Sequence, residues 1–272
     1  VSNLTPGAGV KPISSRDNPL YKELKQLAGS GVARRKAGRT LLDGVHLAQS
    51  YLQTIGQPQL CVVSESGRTH PEVADVLAQC VAVRTPCVVM PDALYAGLGL
   101  VEHGVGLVLA VQTPRPVLPA VLNQSAVLLD NLQDPGNLGS IMRSAAAAGI
   151  RQILCSTGTV SAWSPKVLRA GMGAHFLLEI FEGVDLPVYA RTATVPLLAT
   201  SSYAQTSLFN ADLQPPVAWL FGHEGQGVAQ ELLDCATQQI VIPHLGAMES
   251  LNVAAAAAVC FFEQVRQRQA KK

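Results

Sequence analysis

The sequence predicts an α/β protein: a parallel-sheet domain in its second half, preceded by a small α/β domain. From residue 126 onward, short apolar runs alternate with stretches of helical periodicity, the pattern of repeated βα units. Three strand-to-helix junctions in that half are polar or glycine-rich. A proline-rich stretch, QTPRPVLPA (112–120), separates a first domain over 1–115 from a second over 122–272.

In the first domain, residues 18 to 52 read as helix, with apolar positions Leu20, Leu24 and Leu27, then Leu41, Leu42, Val45 and Leu47. Strand-like runs follow at LCVVS (60–64) and VGLVLAV (105–111), with a helix near 71–80. The formal net charge of +1 conceals an asymmetry. Residues 1–50 hold eight Lys/Arg against three acids, and the remainder holds twelve against sixteen. A basic patch on a near-neutral body points to a polyanion, with Arg16, Lys22, Arg34, Arg35, Lys36 and Arg39 as candidate RNA contacts. A solvated helix face is the alternative. Few aromatics lie among these charges, so a base-stacking platform is weakly supported.

In the second domain, AVLLD (126–130) precedes a helix at about 138–149, and QILCS (152–156) precedes one at about 164–171. FLLEIFE (176–182) and PLLATS (196–201) read as strands. VAWLFG (217–222) leads to a helix at 228–235, and QQIVIP (238–243) leads to the final helix, 250–268. Such alternation implies a parallel sheet covered on both faces, with ligands at the carboxyl ends of its strands.

The chain is 48% apolar and 14% charged, a globular composition for its 272 residues. No apolar run approaches the roughly 20 residues of a membrane span. The segment VSNLTPGAGVKP lacks the apolar core of a signal peptide, so a cytoplasmic protein is expected. Six scattered cysteines form no C-x-x-C pair and no histidine completes a ligand spacing. Buried reduced thiols and no metal are expected. There is no phosphate-binding G-x-x-x-x-G-K-[ST] loop, G-x-S-x-G elbow or H-E-x-x-H helix. GLGLVE (97–102) has Glu102 where a dinucleotide fingerprint needs glycine, and reads as a loop.

The first junction, NLQDPGNLGSIMR (131–143), offers Asn131, Asp134, Asn137 and Arg143 around a Pro135-Gly136 turn. Asn137 can cap the following helix. Arg143 lies six residues on, about 240° around it. The second, GHEGQG (222–227), ends a strand with three glycines and one acid; His223 reads as a surface or packing residue. The third, IPHLGAMESLNVAAAAAV (242–259), has a polar mouth of Glu249, Ser250 and Asn252, with Ser250 a candidate N-cap. Taken singly these are a turn, a glycine loop and a capped core helix.

Together they resemble the three motifs of the SpoU branch of the SPOUT RNA methyltransferases: N-x-x-D-P-x-N-x-G-x-x-x-R at Asn131–Arg143, G-x-E-x-x-G at Gly222–Gly227, and I-P with S-L-N-V at 242–253. SPKVLRAGMGAHF (164–176) is similar to the family's middle segment. ISSRDNPLYKELKQL and DGVHLAQSYL resemble its small substrate-binding domain. His244 and Ala254 stand where Met and Ser are commoner. The resemblance implies a SPOUT-type domain with a C-terminal trefoil knot, working as a homodimer with S-adenosyl-L-methionine. It implies transfer to a ribose 2′-hydroxyl, in ribosomal RNA ahead of transfer RNA. A non-catalytic RNA-binding or ribosome-assembly factor of the same fold is the rival. Asn137, Arg143, Glu224, Ser250 and Asn252 match the catalytic and substrate-orienting positions; Thr200, Gly222, Ile242 and Leu251 match the cofactor pocket.

Overall fold

The computed structural model describes residues 10–100 and 104–269. Most of VSNLTPGAGVKP and the end of the GLGLVE loop, with Glu102, lie outside the described residues. The chain divides into two compact units: residues 1–114 with 163–176, and residues 115–162 with 177–272.

The first unit is built on five strands: β1 (Val10–Pro12), β2 (Arg39–Asp43), β3 (Leu60–Ser64), β4 (Cys87–Met90) and β5 (Leu107–Gln112). Their order is β1-β4-β3-β5-β2, with β5 antiparallel to both neighbours. Helices α1 (Pro19–Gly29), α2 (Gly31–Ala37), α3 (Val45–Thr54), α4 (Pro71–Ala82) and α5 (Asp92–Ala96) connect them. The helix expected over 18–52 is therefore three helices interrupted by a strand. Ser30 ends α1 and caps α2 by accepting from Ala33 N, and Gly38 stops α2 in the left-handed region (φ +61°). Leu41 and Leu42, read as helical, are successive strand residues and both fully buried. A two-sided buried strand shows no alternation, which is why periodicity misread it.

The second unit is a seven-stranded, wholly parallel sheet: β6 (Ala126–Leu129), β7 (Gln152–Ser156), β8 (Glu179–Val184), β9 (Leu197–Thr200), β10 (Thr206–Ser207), β11 (Ala218–Phe221) and β12 (Gln238–Val241). The order is β10-β12-β9-β11-β6-β7-β8. Its helices are α6 (Pro135–Ala147), α8 (Leu186–Ala190), α9 (Gln230–Leu233) and α10 (Val253–Gln269). The intervening α7 (Pro165–Gly171), within the segment expected from the family's middle stretch, packs in the first unit. There Trp163 O accepts from Thr40 Oγ1 at 2.8 Å.

Strand alternation divides the core of the second unit between two faces. Ala218 and Leu220 of β11 join Leu128, Leu186 and Leu232 on the α8–α9 side. Trp219 and Phe221 stack edge-on against Phe261 of α10 on the other. The Trp219 indole N–H donates to Gln264 Oε1 at 3.0 Å, so the buried ring keeps its hydrogen bond. The same α10 packs on α6, two helices whose alanines allow close approach. All six cysteines are free, and five of them are buried. Among the described residues no helix is long and apolar enough to cross a membrane. None of the described His, Cys, Asp and Glu gather into a group that could hold a metal ion.

Candidate active site

The three junctions meet through one row of side-chain hydrogen bonds. The row starts at α10, whose first turn would leave backbone N–H groups unpaired. Asn252 Oδ1 accepts from Ala254 N at 2.9 Å and Ala255 N at 3.3 Å, so Asn252 is the N-cap. Ser250, expected in that role, stands two residues earlier, exposed and outside the row. The reason is register: the helix starts at Val253, out of Ser250's reach.

With its oxygen committed to the cap, Asn252 can only donate onward. Its Nδ2 gives a hydrogen bond to Asn137 Oδ1 at 2.9 Å. The Asn137 amide is oriented in turn, and its Nδ2 donates to Glu224 Oε1 at 3.1 Å. The opposite flip would set an amide oxygen against a carboxylate. Glu224 also accepts from Asp134 N at 3.1 Å and Gln133 N at 3.3 Å, the backbone entering α6. A carboxylate at that helix start is favoured by the helix dipole as well.

Asn137 itself does not cap α6. Asp134 does, its Oδ1 accepting from Asn137 N at 2.7 Å, with Pro135 at the first helical position. Asn137 is thereby freed to face the other two junctions. The Asp-Pro pair was the sequence signal for this cap.

Burial works to raise the pKa of Glu224, but the hydrogen bonds from Asn137 and from the Asp134 and Gln133 backbone outweigh it and hold the carboxyl below its ordinary value. Glu224 is an anion at neutral pH and a poor proton acceptor. The turn that carries it is held by His223, whose Nδ1 accepts from Gly225 N at 3.0 Å and Gln226 N at 3.2 Å. The ring proton then resides on Nε2, which is left as a donor. Gly222 has no room for a side chain: a Cβ there would collide with the Gly227 backbone.

Ile242, Thr200 and Gly222 follow one another across the adjacent strands β12, β9 and β11, at their carboxyl ends. Leu251 directly precedes the Asn252 cap and is 42% exposed. Arg143 lies on α6, exposed, without a hydrogen bond or ion pair among the described residues, so the structure does not join it to the row.

The basic residues of the first unit occupy different environments. Arg34 is buried, and its Nη1 donates to Leu27 O at 2.7 Å and Ala28 O at 3.2 Å, satisfying carbonyls at the end of α1. It is a structural residue there, contrary to the RNA contact expected. Arg39 is half-buried against Glu23, and Lys22 pairs with Asp17 at 3.1 Å. Arg16, Arg35 and Lys36 are exposed.

A parallel sheet with these three polar junctions at its carboxyl edge defines a SPOUT-type methyltransferase domain. The chain belongs to the SpoU rRNA methylase family, whose model matches residues 124–262. It is 34% identical over 95% of both chains to an uncharacterised tRNA/rRNA methyltransferase of Synechocystis. It is 27% identical to the 23S rRNA (guanosine(2553)-2′-O)-methyltransferase of Bacillus subtilis, over 93% of this chain and 98% of that one. The crystal structure of an AdoMet-bound rRNA methyltransferase from Sinorhizobium meliloti superposes with a TM-score of 0.81 at 27% identity, covering 94% of this chain and 98% of that one.

Proposed function

We propose that this protein methylates a ribose 2′-hydroxyl of RNA with S-adenosyl-L-methionine, in ribosomal RNA ahead of transfer RNA. The carrying observation is the row Glu224–Asn137–Asn252, which ties three sequence-distant junctions into one polar edge beside the ends of β9, β11 and β12. A fold-holding role alone does not need three polar side chains, Glu224 and Asn252 exposed and Asn137 half-buried, in fixed donor order.

The residues present fit the cofactor. Three adjacent strand ends offer backbone N–H and C=O groups, and Gly222 keeps its strand end free of a side chain. Thr200, Gly222, Ile242 and Leu251 would hold it. When bound, it supplies an electrophilic methyl group on a sulfonium.

Displacement at that carbon is in-line, so the ribose oxygen must be held on axis. Asn137 and Glu224 orient the ribose, and Asn252 fixes the loop against α6. Ser250, exposed beside that cap, is assigned to the substrate side. Arg143, a guanidinium without a partner among the described residues, holds an RNA phosphate and steadies the developing alkoxide; it stays protonated and takes no proton. Glu224 is acid-shifted and accepts none either. The proton passes to water or to a phosphate oxygen of the RNA.

Arg16, Arg35 and Lys36 carry the RNA contact of the first unit, with Lys22 and Arg39 contributing once their ion pairs open. A homodimer is supported by the exposed apolar residues Leu245, Met248, Val259 and Phe262 on and before α10. Family membership supports a trefoil knot in the C-terminal segment, and a ribosomal RNA substrate supports the cytoplasm as its place of action.

Two measurements test the reading: calorimetric binding of S-adenosylmethionine, and tritium transfer to ribosomal RNA with the site mapped by reverse-transcription pauses at 2′-O-methyl positions. Micromolar cofactor binding and a discrete ribose mark are expected. RNA binding by a folded chain that takes no cofactor would instead establish the non-catalytic factor.

A further inference from the structure

A cavity of about 430 Å³ opens at the carboxyl ends of β6, β7 and β8, and the Glu224 turn forms one of its walls. Neither Thr200, Gly222, Ile242 nor Leu251 lines it, so it is separate from the strand ends assigned to the cofactor. Its size suits a nucleoside. No Lys or Arg lines it, while two carboxylates do, Asp130 and Asp185. A phosphate would be repelled there, and a donor-rich neutral ligand favoured.

Each carboxylate uses one oxygen internally. Asp130 Oδ2 accepts from Ala229 N at 3.0 Å, and Asp185 Oδ1 accepts from Val188 N at 3.1 Å. The second oxygen of each has no hydrogen-bond partner among the described residues. The lining also carries donors. His223 is fixed with its proton on Nε2 by the two bonds its Nδ1 accepts. Asn131 is held in the left-handed region (φ +55°), its Oδ1 accepting from Gln133 Nε2 at 3.0 Å, which leaves its Nδ2 to donate. Pro187, over the buried Leu186, adds an apolar surface on which a flat ring can lie.

Two carboxylate acceptors, a ring N–H donor and an apolar wall complement one nucleobase edge above the others. Guanine presents N1–H and N2–H₂ donors beside an O6 acceptor. Adenine and cytosine would set a ring nitrogen lone pair against a carboxylate, and uracil offers a single donor. We propose that this cavity seats a guanine base of the RNA substrate. The proposal rests on the RNA methyltransferase reading and adds base selection to it. The base's own phosphates stay outside, where the chain's exposed cations can meet them.

The test uses the full chain with its cofactor site filled by S-adenosylhomocysteine, so that adenosine cannot bind there. Labelled guanosine, inosine and adenosine are titrated by equilibrium dialysis against the wild type and Asp185→Asn. Asparagine caps a helix as well as aspartate does, so the variant keeps its fold. The wild type should bind guanosine about tenfold more tightly than inosine, which lacks the N2 amine, and should not retain adenosine. Asp185→Asn should erase the guanosine–inosine difference while its S-adenosylmethionine affinity stays unchanged. In a methylated transcript, inosine in place of guanosine should raise KM about tenfold for the wild type and leave the variant unmoved. Equal affinity for the three nucleosides, or none in a chain that binds cofactor and methylates RNA, overturns the base pocket and leaves the methyltransferase reading standing. Tighter retention of free arginine than of guanosine overturns it in favour of a protein side chain. Guanosine selection in a chain that takes no cofactor supports the pocket and sinks the methyltransferase reading instead.

Discussion

The two units concentrate polar residues in opposite ways. In the first, eight cations crowd into fifty residues of sequence, and folding gives three of them structural partners: Arg34 is buried on helix-end carbonyls, Arg39 lies against Glu23 and Lys22 pairs with Asp17. In the second, Asn137, Glu224 and Asn252 are more than a hundred residues apart at their extremes, and folding places them in one hydrogen-bonded row. Proximity in sequence produced helix ends and ion pairs, whereas convergence at a sheet edge produced a site. Parallel sheets bring this about because every strand's carboxyl end lies on the same side.

The largest effect is expected at the middle of the row. Asn137→Ala removes both of its bonds, and methyl transfer to ribosomal RNA should fall roughly 100-fold or more, since a misplacement of about 1 Å can cost that much. The fold, read by circular dichroism, should be retained. A loss under fivefold would put the row outside the chemistry.

Next comes the glycine that keeps a strand end clear. Gly222→Ala forces a Cβ into the Gly227 backbone, and should cost about 2 kcal/mol or more together with cofactor binding. Thermal unfolding and calorimetry check both, and unchanged cofactor affinity would remove Gly222 from the pocket.

The first unit should respond to pH. Burial raises the Asp43 carboxyl to about 6, only partly offset by Arg169 at 3.8 Å. A carboxyl whose folded pKa lies above its unfolded value favours the fold at low pH. That contribution is complete below about pH 4 and is lost as pH rises through 6. Asp43→Asn should therefore gain roughly 2 kcal/mol over the wild type at pH 8 and nothing near pH 4. A pH-independent difference would contradict the burial argument.

The smallest effects separate neighbours in the basic segment. Arg34→Ala should cost about 2 kcal/mol by leaving the Leu27 and Ala28 carbonyls unpaired. Lys36→Ala should leave stability within about 0.5 kcal/mol and lower the slope of RNA affinity against salt by about one ion. Equal effects of the two on RNA binding would return Arg34 to the surface role expected from sequence.

Much of the second unit was legible because βα alternation and turn chemistry are local signals. Every strand read there corresponds to an observed one, and only the two-residue β10 was passed over. Strand β2 was not legible, since Leu41 and Leu42 are buried on both sides and their alternation is absent. The site residues were legible as motifs, but their geometry was not. Asn252 in place of Ser250 as cap of α10 does not follow from residue type, because both can cap, whereas at α6 the Asp134-Pro135 pair was the signal for Asp134 over Asn137. What decided α10 was register, since that helix starts at Val253, and the same Asn252 that caps it donates onward to Asn137.

A double-mutant cycle on kcat/KM for ribosomal RNA methylation, with Asn137→Ala, Asn252→Ala and the pair, tests most directly whether three junctions make one site. If the row acts as a unit, the double variant is no slower than the worse single variant. Losses that multiply would show two independent residues, and the single-site account would be wrong.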